Sequence, residues 1–193
     1  PQWLADHPEL AVRNIKLTVC LRAGKVWQTG SVPLYAVKLL ANNGVEASMY
    51  EMLMSCPGLS NHTLPAQLIR CPQGDILLMP LLESLLGRGG AWNIDVFLDI
   101  FTQILQGIEF LHEHRITHMD FHAGNVVVGT TEDAAVFPEV VPERVYIIDF
   151  ECAMHHPQGP GQQGPVDLTE SLVQCPAGVR RMDPYAWDMY CVG

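Results

Sequence analysis

Between residues 94 and 111, apolar side chains fall at 94, 97, 98, 101, 104, 105, 108 and 111. Steps of three, one and three of this kind trace one face of an α-helix. Asn93 stands where an N-cap belongs, and the pattern stops near His114. Before this helix the periods are shorter. "NIKLTVCLRAGKVWQT" at 14–29 reads as two strands around a turn at Ala23-Gly24, and "LYAVKLL" at 34–40 as an apolar strand with one lysine, Lys38. "NNG" at 42–44 breaks the chain, and "VEASMYEMLMSC" at 45–56 is helix-forming. "AQLIRC" and "DILLMPLL" read as a strand pair around Pro72-Gln73-Gly74, and "GRGG" at 87–90 marks a loop.

After the long helix, "VVVG" and "RVYIID" are short β-type runs separated by "TTEDAAVFPEVVPE", 130–143, which reads as a loop or hairpin. Residues 152–179 are rich in Pro, Gly and Gln and read as one long mobile loop, and "PYAWDMYCVG" opens another apolar segment. The order is strands, helix, strands, long helix, polar loop, strand pair, long loop and helix start. It describes an α+β chain with a β-rich first part and a helical second part.

Composition narrows the classes. The hydrophobic fraction of 48% and charged fraction of 17% over 193 residues suit a folded domain with a substantial core. A net charge of −10 repels phosphate backbones, so nucleic acid is not expected as a partner. No apolar run reaches membrane-spanning length, and "PQWLADHPEL" is not a signal peptide. The six cysteines show no CxxC pair, which fits reduced thiols and an intracellular, cytoplasmic setting. The first residue is not methionine, so a fragment or a processed product is expected.

Residues 118–125, "HMDFHAGN", hold the densest candidate chemistry. Three readings are open. His114, His118 and His122 recur every four residues and would align as zinc ligands on one helix face. Gly124 and the following β-type run speak against that, as does the lack of a nearby cysteine or HExxH. A polar turn before a strand is the second reading. In the third, Asp120 is a base and Asn125 a metal ligand. That reading needs partners, and Asp149 ends an apolar strand while Lys38 lies within one, where a lone ammonium is costly to bury unless an anion meets it. Phosphoryl transfer uses such groups: a lysine for phosphate oxygens, a carboxylate and a carboxamide for magnesium, and a second carboxylate for the attacking hydroxyl.

At this point the chain resembles the protein-kinase-like superfamily, over nearly its whole length and in the family's order. "AVKLL" resembles the strand-three lysine motif, "HMDFHAGN" the HRDLxxxN catalytic loop, "IDFE" the DFG motif, and "WDMYCVG" the start of the first buried helix after the activation segment. HxDxHxxN followed by IDFE is also similar to the small-molecule kinases of choline and aminoglycosides, and the general flavour resembles divergent kinase-like proteins of mushroom-forming fungi. The resemblance implies a bilobal fold, with an N-lobe at 1–82, a hinge near 79–83, and a mainly helical, incomplete C-lobe at 83–193.

It also implies roles. Lys38 would contact the α- and β-phosphates of ATP and pair with Glu46, with Glu51 as the alternative. Asp120 would accept the proton of the substrate hydroxyl. His122 would hydrogen-bond the γ-phosphate or pack against the loop. Asn125 and Asp149 would hold Mg²⁺. Gly24, Val26 and Ala36 would border the nucleotide, with Met79 as gatekeeper and the backbone of Pro80 and Leu82 meeting adenine. Asp188 would hold the catalytic-loop backbone. The chain also departs from the pattern. Val19 and Leu21 replace two loop glycines, Met119 replaces the HRD arginine, and "CPAG" lacks the APE glutamate. Glu151 replaces the DFG glycine, where it would approach the metal or point to solvent, and 24 positions separate Asn125 from Asp149. The expected function is transfer of the ATP γ-phosphate to a protein Ser/Thr or small-molecule hydroxyl; a pseudokinase scaffold is the alternative. Oligomeric state is left open. The chain ends within the first turns of the expected central helix, so apolar surface is expected to be exposed.

Overall fold

The computed structural model describes residues 1–42, 44–87, 93–168 and 171–193. Asn43 of the NNG break, Arg88–Gly90 of the GRGG loop and Thr169 lie outside the described residues. Two short helices, α1 (Gln2–Ala5) and α2 (Pro8–Val12), open the chain. Sequence reading did not anticipate them. The signal for α2 is local: His7 caps the N–H of Glu9, and Pro8 takes the first position, where its missing N–H costs nothing.

Five strands then build an antiparallel sheet: β1 (Leu17–Arg22), β2 (Val26–Thr29), β3 (Tyr35–Leu40), β4 (Gln67–Ile69) and β5 (Asp75–Pro80), in the order β1-β2-β3-β5-β4. Helix α3 (Val45–Met54) connects β3 to β4. Alternation along β3 and β5 assigns the two faces. Ala36, Leu40, Leu77 and Met79 face α3 and the main core, while Val37, Ile76 and Leu78 pack with Leu4 and Leu10 of the opening helices. Because α1 and α2 cover the outer face, every residue of β5 is buried, which explains its unbroken apolar run.

The second part contains β6 (Glu83–Ser84), α4 (Ile94–Glu113), β7 (Ile116–Thr117), β8 (Val126–Val128), α5 (Thr131–Val136), β9 (Val145–Ile147), β10 (Met154–His155), β11 (Val166–Asp167), β12 (Arg181–Met182) and α6 (Pro184–Val192). Asn93 caps α4 through the Val96 N–H at 2.9 Å. The buried face of α4 differs from the periodic stripe: Ile100, Ile104, Ile108, Phe110 and Leu111 are buried, whereas Ile94, Phe97 and Leu98 are exposed. The core reaches only the later turns of the helix, and a single-period stripe cannot show where cover stops. The expected loop or hairpin at 130–143 contains α5, closed by a capping box in which Thr130 and Asp133 satisfy each other's backbone N–H. The expected long loop contributes β10, paired with β7, and β11, paired with β12.

Candidate functional site

Four segments meet where the sheet joins the helical part. Lys38 is on β3, in register with Val26 of β2 and Leu77 of β5. Its ammonium lies 2.7 Å from Glu46 Oε2 on α3 and 2.5 Å from Asp149 Oδ1. Burial opposes a charged lysine, but the two carboxylates outweigh it and hold the Lys38 pKa above its ordinary value. Burial would likewise lift the Asp149 carboxyl, yet the Lys38 ammonium, with Arg22 behind it, holds it below the usual range. Glu46 is buried more deeply, and there burial wins, so its carboxyl is raised. Glu51, the alternative partner, instead faces Arg70 on the far side of α3 at 2.6 Å.

Asp149 has φ 67° and ψ 66°, a left-handed conformation that aspartate tolerates better than most residues. This turn sends Phe150 into the core. Its ring meets Tyr50 of α3 edge-on at 5.4 Å and His118 at 5.2 Å, so α3, the 149–151 turn and the 118–125 loop share one aromatic column.

The 118–125 loop is fixed from below by α6. The Asp188 carboxylate, fully buried, accepts the N–H of His118 and of Met119, each at 2.8 Å, and Trp187 Nε1 donates to Met119 O at 3.0 Å. His118 Nδ1 accepts the Asp120 N–H at 3.4 Å, and Nε2 donates to Ile148 O at 3.0 Å. His122 Nδ1 accepts the Gly124 N–H at 3.0 Å, and His114 Nδ1 lies 2.8 Å from Phe110 O. The three histidines do not align on one helix face, because α4 ends at Glu113. Among the described residues, no group of three or more His, Cys, Asp or Glu is arranged to hold a metal ion.

Asn125 Nδ2 donates to Asp120 O at 3.0 Å, and its own carbonyl accepts the Ile148 N–H at 3.0 Å. The loop and the Asp149 strand are thereby stitched together. The β8–β9 hairpin, with α5 at its tip, accommodates the 24 positions between Asn125 and Asp149. Asp120 Oδ1 accepts the Ser171 hydroxyl at 2.7 Å and the Leu172 N–H at 3.2 Å.

Of the remaining residues, Ala36 and Met79 are paired across β3 and β5, Pro80 ends β5, and Leu82 is buried just beyond it. Gly24 has φ +71° in the β1–β2 turn. Glu151 is exposed, in the second of its two expected places. It turns to the β1–β2 hairpin and pairs with Lys25 and, at 3.2 Å, with Arg22. Arg22 also stands 3.7 Å from Asp149 Oδ2. Sequence reasoning missed both hairpin cations; their only signal was basic charge on either side of the Ala23-Gly24 turn.

No protein-family model matches the chain. Over 91 residues, or 44% of its length, it is 30% identical to cell division control protein 2 homolog 3 of Trypanosoma brucei brucei, covering 29% of that protein. Over 49 residues it is 41% identical to mitogen-activated protein kinase kinase kinase A of Dictyostelium discoideum, covering 25% of this chain and 5% of the relative. It is 29% identical over 72 residues to the probable serine/threonine-protein kinase FPV212 of fowlpox virus, covering 37% and 20%. The chain thus spans less than a third of the length of these curated relatives. Among solved structures, the kinase domain of PF14_0431 superposes with a TM-score of 0.53 at 16% identity, over 76% of this chain and 53% of that one. The fold is that of a kinase domain, and parts of the sequence are similar to protein kinases. Among the described residues, no helix is long and apolar enough to cross a membrane.

Proposed function

We propose that this chain carries the nucleotide and catalytic site of an ATP-dependent phosphotransferase of protein-kinase type. In this reading residues 1–82 and 83–193 are two lobes, with a hinge near 79–83. The observation that carries it is the Lys38 ammonium set between Glu46 and Asp149, at 2.7 and 2.5 Å. A buried lysine with two carboxylates is a costly arrangement for a fold alone, and it leaves a cation poised at the cleft.

Each side chain then has a task. Lys38 meets phosphate oxygens. Pro80 has no N–H, so it offers adenine only its carbonyl, and Leu82 supplies a backbone donor. Val26, Ala36 and Met79 give apolar contact, and Gly24 lets the hairpin turn. Asp120 orients the acceptor hydroxyl and takes its proton; the Ser171 hydroxyl on its Oδ1 at 2.7 Å supports this ability. His122 keeps Nε2 as a donor, since Nδ1 is engaged by the loop. Asn125 and Asp149 present hard oxygen donors and fit magnesium: the Asn125 amide nitrogen is tied to Asp120 O, which turns its oxygen the other way. Bound magnesium would neutralise phosphate charge. The name of the fowlpox relative supports a protein Ser/Thr hydroxyl as acceptor. A scaffold with little catalysis is the second reading. It is favoured by Ser171 on Asp120 and by Val19 and Leu21 in the glycine places.

Thermal shift with ATP, with and without Mg²⁺, tests the site. At one hundred times the dissociation constant, ligand should add about 2.7 kcal/mol of stability. Asp149→Asn should remove the magnesium-dependent part. Asp120→Asn should keep affinity within a few-fold and lower turnover about a hundredfold. No shift with ATP and Mg²⁺ refutes the nucleotide site; a shift without turnover selects the scaffold.

A further inference from the structure

The β1–β2 hairpin brings two cations to the same carboxylates that hold Lys38. Arg22 ends β1, and its Nη1 lies 3.2 Å from Glu151 Oε2 and 3.7 Å from Asp149 Oδ2. Lys25, across the turn, pairs with Glu151 Oε1. The Asp149 carboxylate is therefore flanked by Lys38 on one oxygen and Arg22 on the other. Lys25, Lys38, Glu46 and Glu151 also line one cavity of about 270 Å³.

These contacts join residues 126 and 129 positions apart, across the mouth of the cleft. Their side chains are 39–53% exposed, and ion pairs this exposed add little to stability. They are therefore cheap to exchange. In a glycine-rich loop, backbone N–H groups approach phosphate; here Val19 and Leu21 occupy two of those glycine positions, which makes that approach harder. A guanidinium and an ammonium at the turn supply donors of longer reach, and phosphate oxygens suit both.

We propose that Arg22 and Lys25 are triphosphate-contacting residues, and that Glu151 holds their place until a nucleoside triphosphate displaces it. The proposal rests on the nucleotide reading above. The hairpin closes on the ligand through side-chain charge, with Glu151 as an internal competitor.

Calorimetric titration of ATP and of adenosine into three proteins tests it: wild type, the double variant Arg22→Ala/Lys25→Ala, and Glu151→Gln. All three changes are at exposed side chains, and a denaturation curve for each shows that it folds. The double variant should bind ATP at least about thirtyfold more weakly, with adenosine within about twofold. Glu151→Gln should bind ATP about threefold more tightly. ATP binding seen only in Glu151→Gln supports the placeholder in its strongest form. Equal ATP affinity in wild type and the double variant overturns the proposal and leaves the nucleotide reading intact. Absence of both ATP and adenosine binding in all three proteins overturns both.

Discussion

Asp188 and His118 are 70 residues apart, and the buried carboxylate of the first accepts the backbone N–H of the second at 2.8 Å. The same carboxylate takes Met119 N at 2.8 Å and faces His112 Nε2 at 3.1 Å. Asp188→Ala strands two buried backbone donors. It should cost about 3–5 kcal/mol in urea denaturation, and Asp188→Asn, which keeps one acceptor, about half of that. Faster hydrogen exchange at His118 and Met119 would locate the loss.

The lysine cluster sets a pH signature. Asp149 has a lowered pKa, so its contribution is fully present above about pH 3.9 and is lost as pH falls through the folded value. Lys38 has a raised pKa, so its share is fully present below about pH 10.4 and is lost as pH climbs through the folded value. Glu46 runs the other way: burial raises its pKa, so its ionisation weakens the fold as pH rises past about 4.3. Lys38→Met leaves Glu46 without its cation and Asp149 with only the more distant Arg22. Melting temperature measured from pH 3 to 8 should then fall with rising pH through the carboxylate range, where the wild type rises or stays level.

Tyr50 tests the aromatic column. Its hydroxyl is buried with no partner among the described residues, and burial holds its pKa well above the ordinary value. Tyr50→Phe keeps the ring against Phe150 and removes the stranded oxygen. It should raise stability by about 0.5–1 kcal/mol; a comparable loss in denaturant midpoint would show that the hydroxyl has a partner.

Ser171 faces Asp120, and the HRD arginine that would serve a loop phosphate is Met119, fully buried. A negative charge at 171 meets a carboxylate rather than a guanidinium. On the phosphotransferase reading proposed above, Ser171→Asp should lower turnover about tenfold relative to Ser171→Ala in an initial-rate assay. Activation by the aspartate variant would contradict this arrangement.

Gly107 lies where α4 passes the 61–64 segment. A Cβ there would come within 2.8 Å of His62 Cβ and Ile147 Cδ1. Alanine gains about 1 kcal/mol of helix propensity, but overpacking costs about 1–3 kcal/mol. Gly107→Ala should therefore be neutral to destabilising in thermal unfolding, despite its helical position.

The succession of strands and helices and the chemistry-bearing loop were legible because period, turn residues and motif spacing agree there. Lys38, Glu46 and Asp149 could be named from the resemblance of their motifs to the kinase pattern, although the separation of eight positions from Lys38 to Glu46 looked short. Helix α3 starts immediately after Gly44, at Val45, so the short connection still delivers Glu46 to the lysine. Helix α5 was hidden because a six-residue helix carries little periodicity, though its Thr130-x-x-Asp133 box was in plain view. The exposed first turns of α4 and the pairing of Glu151 with Arg22 and Lys25 depend on what stands opposite in space, which no local pattern records.

Helix α3 is held differently at its two ends. Asn61 caps its last turns through Leu53 O and Cys56 O at 2.7 and 2.9 Å, and the adjoining His62 and Leu64 exchange hydrogen bonds with Ile147 of β9. At the other end, Glu46 reaches across to Lys38 of the sheet. The helix therefore ties the helical part, through residues 61–64, to the sheet, through Glu46, and the Lys38–Glu46 ion pair is the link that any displacement of one part against the other would strain.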